Sequence, residues 1–146
     1  MEAKLATAMQ LGATDIIDAS SSDPVARVRA MTGGVDYSFE ALGSKRTAEQ
    51  AFEMLRSEGT ATVVGKIPEG TNIELEGSAF LDEKRIQGSN MGSNRFRTDM
   101  PRYVELYRQG RLKLDEMVTQ TMALDEINRA FDEMKSGSVN RSVIVF

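Results

Sequence analysis

The chain has 146 residues, the length of one ordinary domain, with a net charge of −4 and 40% hydrophobic residues. This acidic balance excludes a nucleic-acid partner, because phosphate binding requires a basic surface. No apolar run is long enough for a membrane span, and the acidic residue at position 2, with no apolar segment after it, favours a cytoplasmic location.

Two residue types are missing from the sequence, which contains neither cysteine nor histidine. Their absence excludes disulfides, a thiolate nucleophile, an imidazole base and the usual ligands of zinc. A metal site would have to use carboxylates alone, and these suit Mg²⁺ or Ca²⁺ better than Zn²⁺. We therefore predict no metal site in this chain.

The first part of the chain alternates between helical and extended patterns. An apolar stripe in residues 5–9 predicts a helix that ends at Gly12, and residues 14–18 are typical of a short strand. A second helix is predicted to begin at Asp23-Pro24, since aspartate caps free N–H groups and proline favours the first turn.

The alternation continues through the middle of the chain. Residues 35–40 have the period of a strand, and residues 60–64 are typical of a buried strand. Between them, before Gly59, an amphipathic helix is predicted from four apolar residues at i, i+3, i+4 and i+7: Ala48, Ala51, Phe52 and Leu55. Strands that alternate with helices in this way imply a parallel sheet with crossover helices.

The second half is less regular. Residues 72–76 alternate, and residues 85–88 are a candidate strand. A helix is predicted from Asp99 and Pro101 to Gly110, another from the apolar stripe in residues 124–134, and a terminal strand at 142–146.

Motifs that bind phosphate or activate a nucleophile are not found. None of the twelve glycines forms GxGxxG, and the grouping GSNMG at 88–92 has the wrong spacing for that motif. There is also no P-loop and no GxSxG sequence. Asp36 and Glu40 lie four apart on one predicted strand, too far apart for a pair of carboxylates that exchange a proton, and we interpret them as structural.

A resemblance covers essentially the whole chain although each block is short. The string GVDYSFEALG at 34–43 resembles the medium-chain, zinc-dependent alcohol dehydrogenases. Further blocks follow in the order of that family: 4–6, 11–14, 59–65, 88–93, 99–101, 110–115, 127–131 and 136–146.

The resemblance implies an α/β fold, an incomplete doubly wound (Rossmann-type) parallel sheet with C-terminal helices and a terminal strand. Residues 1–92 would form a partial dinucleotide-binding domain, and residues 93–146 a helical segment plus strand that packs toward the catalytic domain in the family. The glycine-rich loop, the ribose-binding acid and the zinc ligands would precede the part of the family to which this chain corresponds.

The resemblance also implies cofactor contacts at seven residues. Lys4 carries over as the contact to the adenosine ribose, and Ala41 and Leu42 as contacts to the adenosine. Val64, Ser89 and Met91 carry over as contacts to the nicotinamide carboxamide, and Arg141 as the contact to the pyrophosphate. Ser44 departs from the pattern, because some relatives have a basic side chain at that turn.

The implied activity is hydride transfer between NAD and an alcohol or aldehyde, with zinc polarising the oxygen. Because this chain has neither the zinc ligands nor the phosphate-binding loop, we expect weak or no NAD binding and no turnover by the chain alone. The alternative is a non-catalytic nucleotide-binding or dimerisation module. A homo-oligomer is expected through a sheet edge near residues 85–88, with no nucleic acid and no membrane as partner.

Overall fold

The computed structural model describes residues 2–146, which form two compact units. One unit is Ile17–Asn94, and the other joins the described residues up to Ile16 to Arg95–Phe146. The first helix belongs to the same unit as the C-terminal residues.

The unit Ile17–Asn94 is built on a three-stranded sheet in which the strands lie side by side in chain order. All of its pairings are parallel, which confirms the α/β class. Its helices and strands are, in chain order, α2 (Pro24–Thr32), β1 (Val35–Glu40), α3 (Lys45–Glu53), β2 (Leu55–Val63) and β3 (Arg85–Gly88). Short 3-10 helices at Gly77–Asp82 and Asn90–Ser93 flank β3.

The caps of α2 are those that the sequence predicts. The carboxylate of Asp23 accepts a hydrogen bond from the N–H of Val25 at 2.9 Å. At the other end, Gly33 takes up the left-handed conformation with φ of 75°. Glycine adopts this left-handed conformation without strain, whereas a residue with a side chain would be strained there, so the helix can end at Gly33.

The core of this unit lies where α3 covers β2. Ala51, Phe52, Leu55 and Ala61 form the buried cluster, and Phe52 stacks at a tilt on Phe80 with 5.2 Å between ring centroids. The predicted helix over this stretch is confirmed, but its last apolar position is wrong. Leu55 fits the helical spacing, yet it is the first residue of β2 and pairs with Val35.

β2 therefore begins earlier than predicted and runs through Gly59. The pairing register with β1 shifts between Val35 and Tyr37, so extra residues of β2 are accommodated in an irregularity before Thr60. The shift explains why the buried-strand pattern of β2 is recognisable only after Gly59.

The strand predicted at residues 14–18 is wrong. These residues belong to no strand, and no strand in the described part of the chain pairs with them. A single extended segment leaves its N–H and C=O groups without partners, and Ile16 is 44% exposed. The alternation at residues 72–76 is likewise not part of a strand.

Among the described residues, the second unit contains three α-helices, two short 3-10 helices (Asp115–Met117 and Leu124–Glu126) and a two-stranded parallel sheet. Its elements are α1 (Glu2–Gln10), α4 (Phe96–Arg108), β4 (Gln120–Ala123), α5 (Ile127–Ser136) and β5 (Ser142–Val145). The predicted helices and terminal strand are confirmed, whereas β4 was not foreseen. Asn140 donates from its side-chain amide to the hydroxyl of Thr7 at 3.3 Å, which ties α1 to the segment before β5.

α4 begins three residues earlier than predicted. The carboxylate of Asp99 does not cap the helix from outside; it accepts a hydrogen bond from the N–H of Arg95 at 2.7 Å from within the first turns. Pro101 consequently lies inside the helix. In residues 2–146, none of the helices is both long enough and apolar enough to cross a membrane.

Candidate functional site

Three turns follow the parallel strands β1, β2 and β3 at the same edge of the sheet. Residues 41–43 follow β1, Val64 follows β2 and Ser89 follows β3. Backbone hydrogen bonds join these turns in series: the N–H of Val64 donates to the carbonyl of Glu40 at 2.7 Å, and the N–H of Ser89 donates to that of Val63 at 2.9 Å. Crevices at the carboxyl ends of parallel strands are the usual ligand sites of open α/β sheets.

A cavity of about 640 Å³ opens at the ends of β2 and β3. It brings together three of the residues singled out from the sequence, Val64, Ser89 and Met91. Met91 is 85% exposed and has a positive φ of 49°, so its side chain contributes little to the core. The structure thus places these three residues on the wall of one cavity.

Ala41 and Leu42 lie in the neighbouring turn and line a different groove, of about 490 Å³, on α3 and β1. Leu42 is 76% exposed, and the same groove is bordered by Tyr37 and Phe39, which are 71% and 72% exposed. Neighbouring aromatic side chains with so much exposed area are uncommon on the solvent-facing surface of a complete domain.

Glu40 organises the turn after β1. Its side chain is buried, and Oε1 accepts hydrogen bonds from the N–H groups of Leu42 at 2.8 Å and Gly43 at 2.7 Å. The hydroxyl of Thr47, in the first turn of α3, donates to the same oxygen at 2.7 Å. The other carboxylate oxygen, Oε2, is buried and has no hydrogen-bond partner in the described part of the chain.

The electrostatics of Glu40 favour the charged form. Burial on its own would raise the pKa of this carboxyl. The Thr47 hydroxyl and the N–H groups of the following turn outweigh burial, so the pKa of Glu40 lies below its ordinary value. A carboxylate that is held ionised by three donors at a strand end fixes the turn, and it is a poor proton donor at neutral pH.

Two glycines allow the turns after β1 and β2 to touch. A Cβ atom added to Gly65 would lie 2.2 Å from the nitrogen of Gly43 and 2.6 Å from Oε2 of Glu40. A Cβ atom added to Gly43, where φ is 87°, would lie 2.5 Å from the carbonyl oxygen of Lys66. No side chain larger than hydrogen fits at either position, and the backbone of Lys66 is anchored against the neighbouring turn.

Lys4 and Arg141 both belong to the second unit. Nζ of Lys4 lies 3.5 Å from the place a Cβ on Gly137 would occupy, four residues before Arg141. Arg141 lines a groove of about 490 Å³ beside α5 together with Phe131 and Met134. The predicted adenosine-ribose and pyrophosphate contacts therefore lie within one unit, and the remaining five residues lie within the other.

Ser44, which departs from the family pattern, has a structural role. It is the N-cap of α3, and its hydroxyl accepts a hydrogen bond from the N–H of Thr47 at 3.2 Å. The next residue, Lys45, is held by Glu49 at 3.5 Å and Glu74 at 3.2 Å. The turn consequently presents a hydroxyl where some relatives present a cation.

The donor set does not fit zinc. Within residues 2–146 no group of three or more carboxylates is placed to hold a metal ion, and the sequence offers neither cysteine nor histidine. The cavity at the ends of β2 and β3 is bordered by backbone groups and apolar side chains together with the side chains of Ser89, Asn90 and Lys66, a lining compatible with the nicotinamide end of a dinucleotide.

Sequence reasoning missed the roles of Thr47 and Lys66, and it treated Glu40 only as a structural residue of its strand. The available signal was a glutamate at the end of a strand, followed by glycine at position +3 and threonine at +7. A carboxylate in that place can satisfy the N–H groups of a tight turn and reach the first turn of the next helix. Lys66 gave no signal, since one lysine after a glycine is typical of any surface loop.

Comparison with known proteins gives the same picture along the whole chain. The family model of zinc-binding dehydrogenases matches residues 1–108. An alcohol dehydrogenase class-3 from Cereibacter sphaeroides is 35% identical over 94% of this chain, and an S-(hydroxymethyl)glutathione dehydrogenase from Synechocystis is 36% identical over 97%. Benzyl alcohol dehydrogenase from Acinetobacter calcoaceticus has a similar structure, with a TM-score of 0.92 and 34% identity over 99% of this chain.

These matches cover much less of the known proteins. The chain spans 39% and 40% of the length of the two relatives and 40% of the benzyl alcohol dehydrogenase chain. The shared part is the C-terminal part of those proteins.

Proposed function

The chain belongs to the zinc-binding dehydrogenase family, and from this premise we propose that it is the C-terminal, cofactor-binding portion of an alcohol dehydrogenase-type oxidoreductase. The whole enzyme would transfer a hydride between NAD and an alcohol or aldehyde. The observation that carries this proposal is the series of three hydrogen-bonded turns at the carboxyl edge of the sheet.

The residues of this chain would hold the cofactor at two places. Backbone groups at Val64, Ser89 and Met91 border the cavity in which a nicotinamide carboxamide would be bound. Ala41 and Leu42 would pass over the adenosine side. Lys4 and Arg141 belong to the other unit, and the resemblance alone supports their contacts to the ribose and the pyrophosphate. Arginine suits the last role because its planar fork stays charged and donates two parallel hydrogen bonds. NAD, when bound, supplies the hydride acceptor.

We propose that this chain does not turn over substrate alone. Its residues supply no zinc ligands, and the sequence supplies no glycine-rich loop for the phosphates. The outer edge of β1 supports the proposal that another polypeptide segment packs there. β1 is an edge strand of the described sheet, and its residues Tyr37 and Phe39 are mostly exposed. A strand laid along β1 would satisfy its free backbone groups and cover these rings.

The second candidate is a non-catalytic assembly module that uses a sheet edge. The outer edge of β3 favours it, because Arg85–Gly88 ends the same sheet on the other side and pairs only with β2 among the described strands. We propose that two copies associate through this edge. We also propose a cytoplasmic location, to be checked by cell fractionation.

Titration with NAD tests the cofactor proposal. One charge-assisted pair to a phosphate contributes about 1.5–3 kcal/mol, which is less than association costs. We therefore expect an affinity in the millimolar range or weaker, about 4 kcal/mol of binding free energy at most. Arg141→Ala should abolish binding and Lys84→Ala should leave it unchanged. Micromolar affinity in calorimetry would show a more complete site than proposed, and binding that survives in Arg141→Ala would contradict the assigned contact.

Complementation separates the two candidates. A polypeptide corresponding to the N-terminal part of the relatives, mixed with this chain, should restore alcohol oxidation if the chain is the cofactor-binding portion of an enzyme. The assembly module would be favoured by two results together. The chain would associate with itself, and its stable complexes with the N-terminal polypeptide would not oxidise any alcohol.

A further inference from the structure

The cavity at the ends of β2 and β3 contains a cation that the proposed cofactor contacts do not use. Among the described residues that line it, Lys66 alone has an ionisable side chain. Its neighbours on the cavity wall are apolar or uncharged and polar: Val63, Val64, Gly65, Gly88, Ser89, Asn90 and Met91. The cavity therefore has a single positive charge and no negative one.

Lys66 has no counter-charge within the described residues. No carboxylate oxygen of residues 2–146 lies within 4.0 Å of its ammonium group, whereas Lys45 in the same unit is bound by two glutamates. The carboxylate of Glu40 is buried in the neighbouring turn, where its Oε1 accepts three hydrogen bonds and its Oε2 lies beside Gly65 without a partner among the described residues. An unpaired ammonium group beside a partly apolar cavity favours the binding of an anion there.

The position of Lys66 is fixed although its side chain is long. Its backbone packs against Gly43, and the preceding Gly65 donates its N–H to the carbonyl of Glu40 at 3.0 Å. The base of the side chain is thus held two residues after Val64. Whatever binds the ammonium group would therefore lie within the length of a lysine side chain from the turn that follows β2.

We infer that Lys66 recognises an anionic group, of the carboxylate type, on the alcohol or aldehyde substrate. The inference rests on the proposed function, because it needs the nicotinamide at Val64, Ser89 and Met91 so that substrate must lie beside it in the same cavity. An acidic substituent on the substrate would pair with the lysine while the alcohol end faces the cofactor. Lys66 would then determine specificity for charged over neutral alcohols.

A phosphate of the cofactor is the other source of an anion, and the experiment distinguishes the two. The probes are 4-hydroxybutanoate, the neutral butan-1-ol and inorganic pyrophosphate, titrated into the ¹⁵N-labelled chain. The readout is the movement of the backbone amide signals of Val64, Gly65, Ser89 and Met91. Nicotinamide riboside, which has no phosphate, is titrated separately as the test of the cofactor site.

We expect 4-hydroxybutanoate to shift these amides and Lys66→Met to weaken its Kd roughly fivefold, which corresponds to about 1 kcal/mol. Lys66→Arg should retain the affinity because it retains the charge. Lys84→Met, a lysine on a different groove of the same unit, should change nothing. Butan-1-ol should bind equally to the wild type and to Lys66→Met.

Two results would overturn the inference. One is that 4-hydroxybutanoate binds the wild type and Lys66→Met with the same affinity, or that it binds neither detectably. The other is pyrophosphate that shifts the same amides more strongly and with the same dependence on Lys66, since the lysine would then serve the cofactor. Absence of shifts with nicotinamide riboside would contradict only the cofactor assignment, because the carboxylate arm is read without any nucleotide.

Discussion

The hydroxyl of Thr47 donates to Oε1 of Glu40 at 2.7 Å, which joins the first turn of α3 to the end of β1. Two N–H groups of the intervening turn bond to the same oxygen. Removing the carboxylate would leave these partly buried donors without their acceptor. We expect Glu40→Ala to lower the free energy of unfolding by about 1–3 kcal/mol, measured by urea unfolding followed by circular dichroism.

The control for this change is Asp36→Asn on the same strand. Asp36 is more than half exposed and pairs with Arg56, which is equally exposed. Exposed pairs of this kind contribute about 0–1 kcal/mol. A loss in Asp36→Asn as large as that in Glu40→Ala would show that any change on β1 destabilises the unit, and that the carboxylate of Glu40 has no special role.

Stability should depend on pH through Glu40. Its pKa is lower in the folded chain than in the unfolded chain, so its contribution is complete above the ordinary glutamate pKa of about 4.3. The contribution is lost as the pH falls through the folded-state pKa. The difference in unfolding free energy between the wild type and Glu40→Gln should therefore shrink as the pH falls below about 4.3. A difference that stays constant from pH 6.5 to 3 would argue against the charged form.

Gly65→Ala should be strongly destabilising. Its Cβ would lie 2.2 Å from the nitrogen of Gly43, so one of the two turns must move. We expect a loss of about 1–3 kcal/mol, as for other overpacked sites. Gly77→Ala is the matched control, because a Cβ there would meet nothing within 4 Å. Equal thermal stability of the two variants would mean that the contact between the turns is not maintained in solution.

Self-association should follow the edge of β3. At tens of micromolar, an order-of-magnitude choice for ordinary interfaces, sedimentation should show species larger than the monomer. Amide exchange of Arg85–Gly88 should slow as the concentration rises, since those groups would pair with a second copy. A clean monomer at this concentration, or protection confined to β1, would contradict the proposed edge.

Purified chain should hold no tightly bound zinc. Cysteine and histidine, which make tight zinc sites, are absent from the sequence, and exposed carboxylates bind zinc only weakly. Elemental analysis after washing with a chelator is the measurement. Stoichiometric zinc in the washed protein would refute this expectation.

The sequence predicts the helices and the parallel strands well wherever local signals and packing agree. Asp23 with Gly33 bounds α2, and Gly137 ends α5 in the left-handed conformation, as glycine permits. The prediction from sequence fails at Leu55. An apolar residue can be buried against Ala51 and Phe52 either from within a helix or from the start of a strand, so the apolar pattern does not distinguish the two. The prediction also fails at residues 14–18 because extended structure depends on a neighbouring strand, which local pattern does not reveal.

The site is predictable only in part, for a different reason. Val64, Ser89 and Met91 were located from a resemblance, and the structure gathers them in one cavity. The network around Glu40 could not be located so directly, since it depends on hydrogen bonds and close approaches among three separate segments. Lys66 is recognisable only from what the cavity wall does not contain, namely a second charge.

Because the backbones of Gly43 and Gly65 are in close contact, the turns after β1 and β2 should move together. A displacement of the Leu42 turn by a ligand should therefore also move Val64, whose N–H donates to the carbonyl of Glu40. Insertions or bulky substitutions in one turn must accordingly be matched by a change in the other. Redesign of this edge for another ligand should treat the two turns as a single segment to be exchanged together.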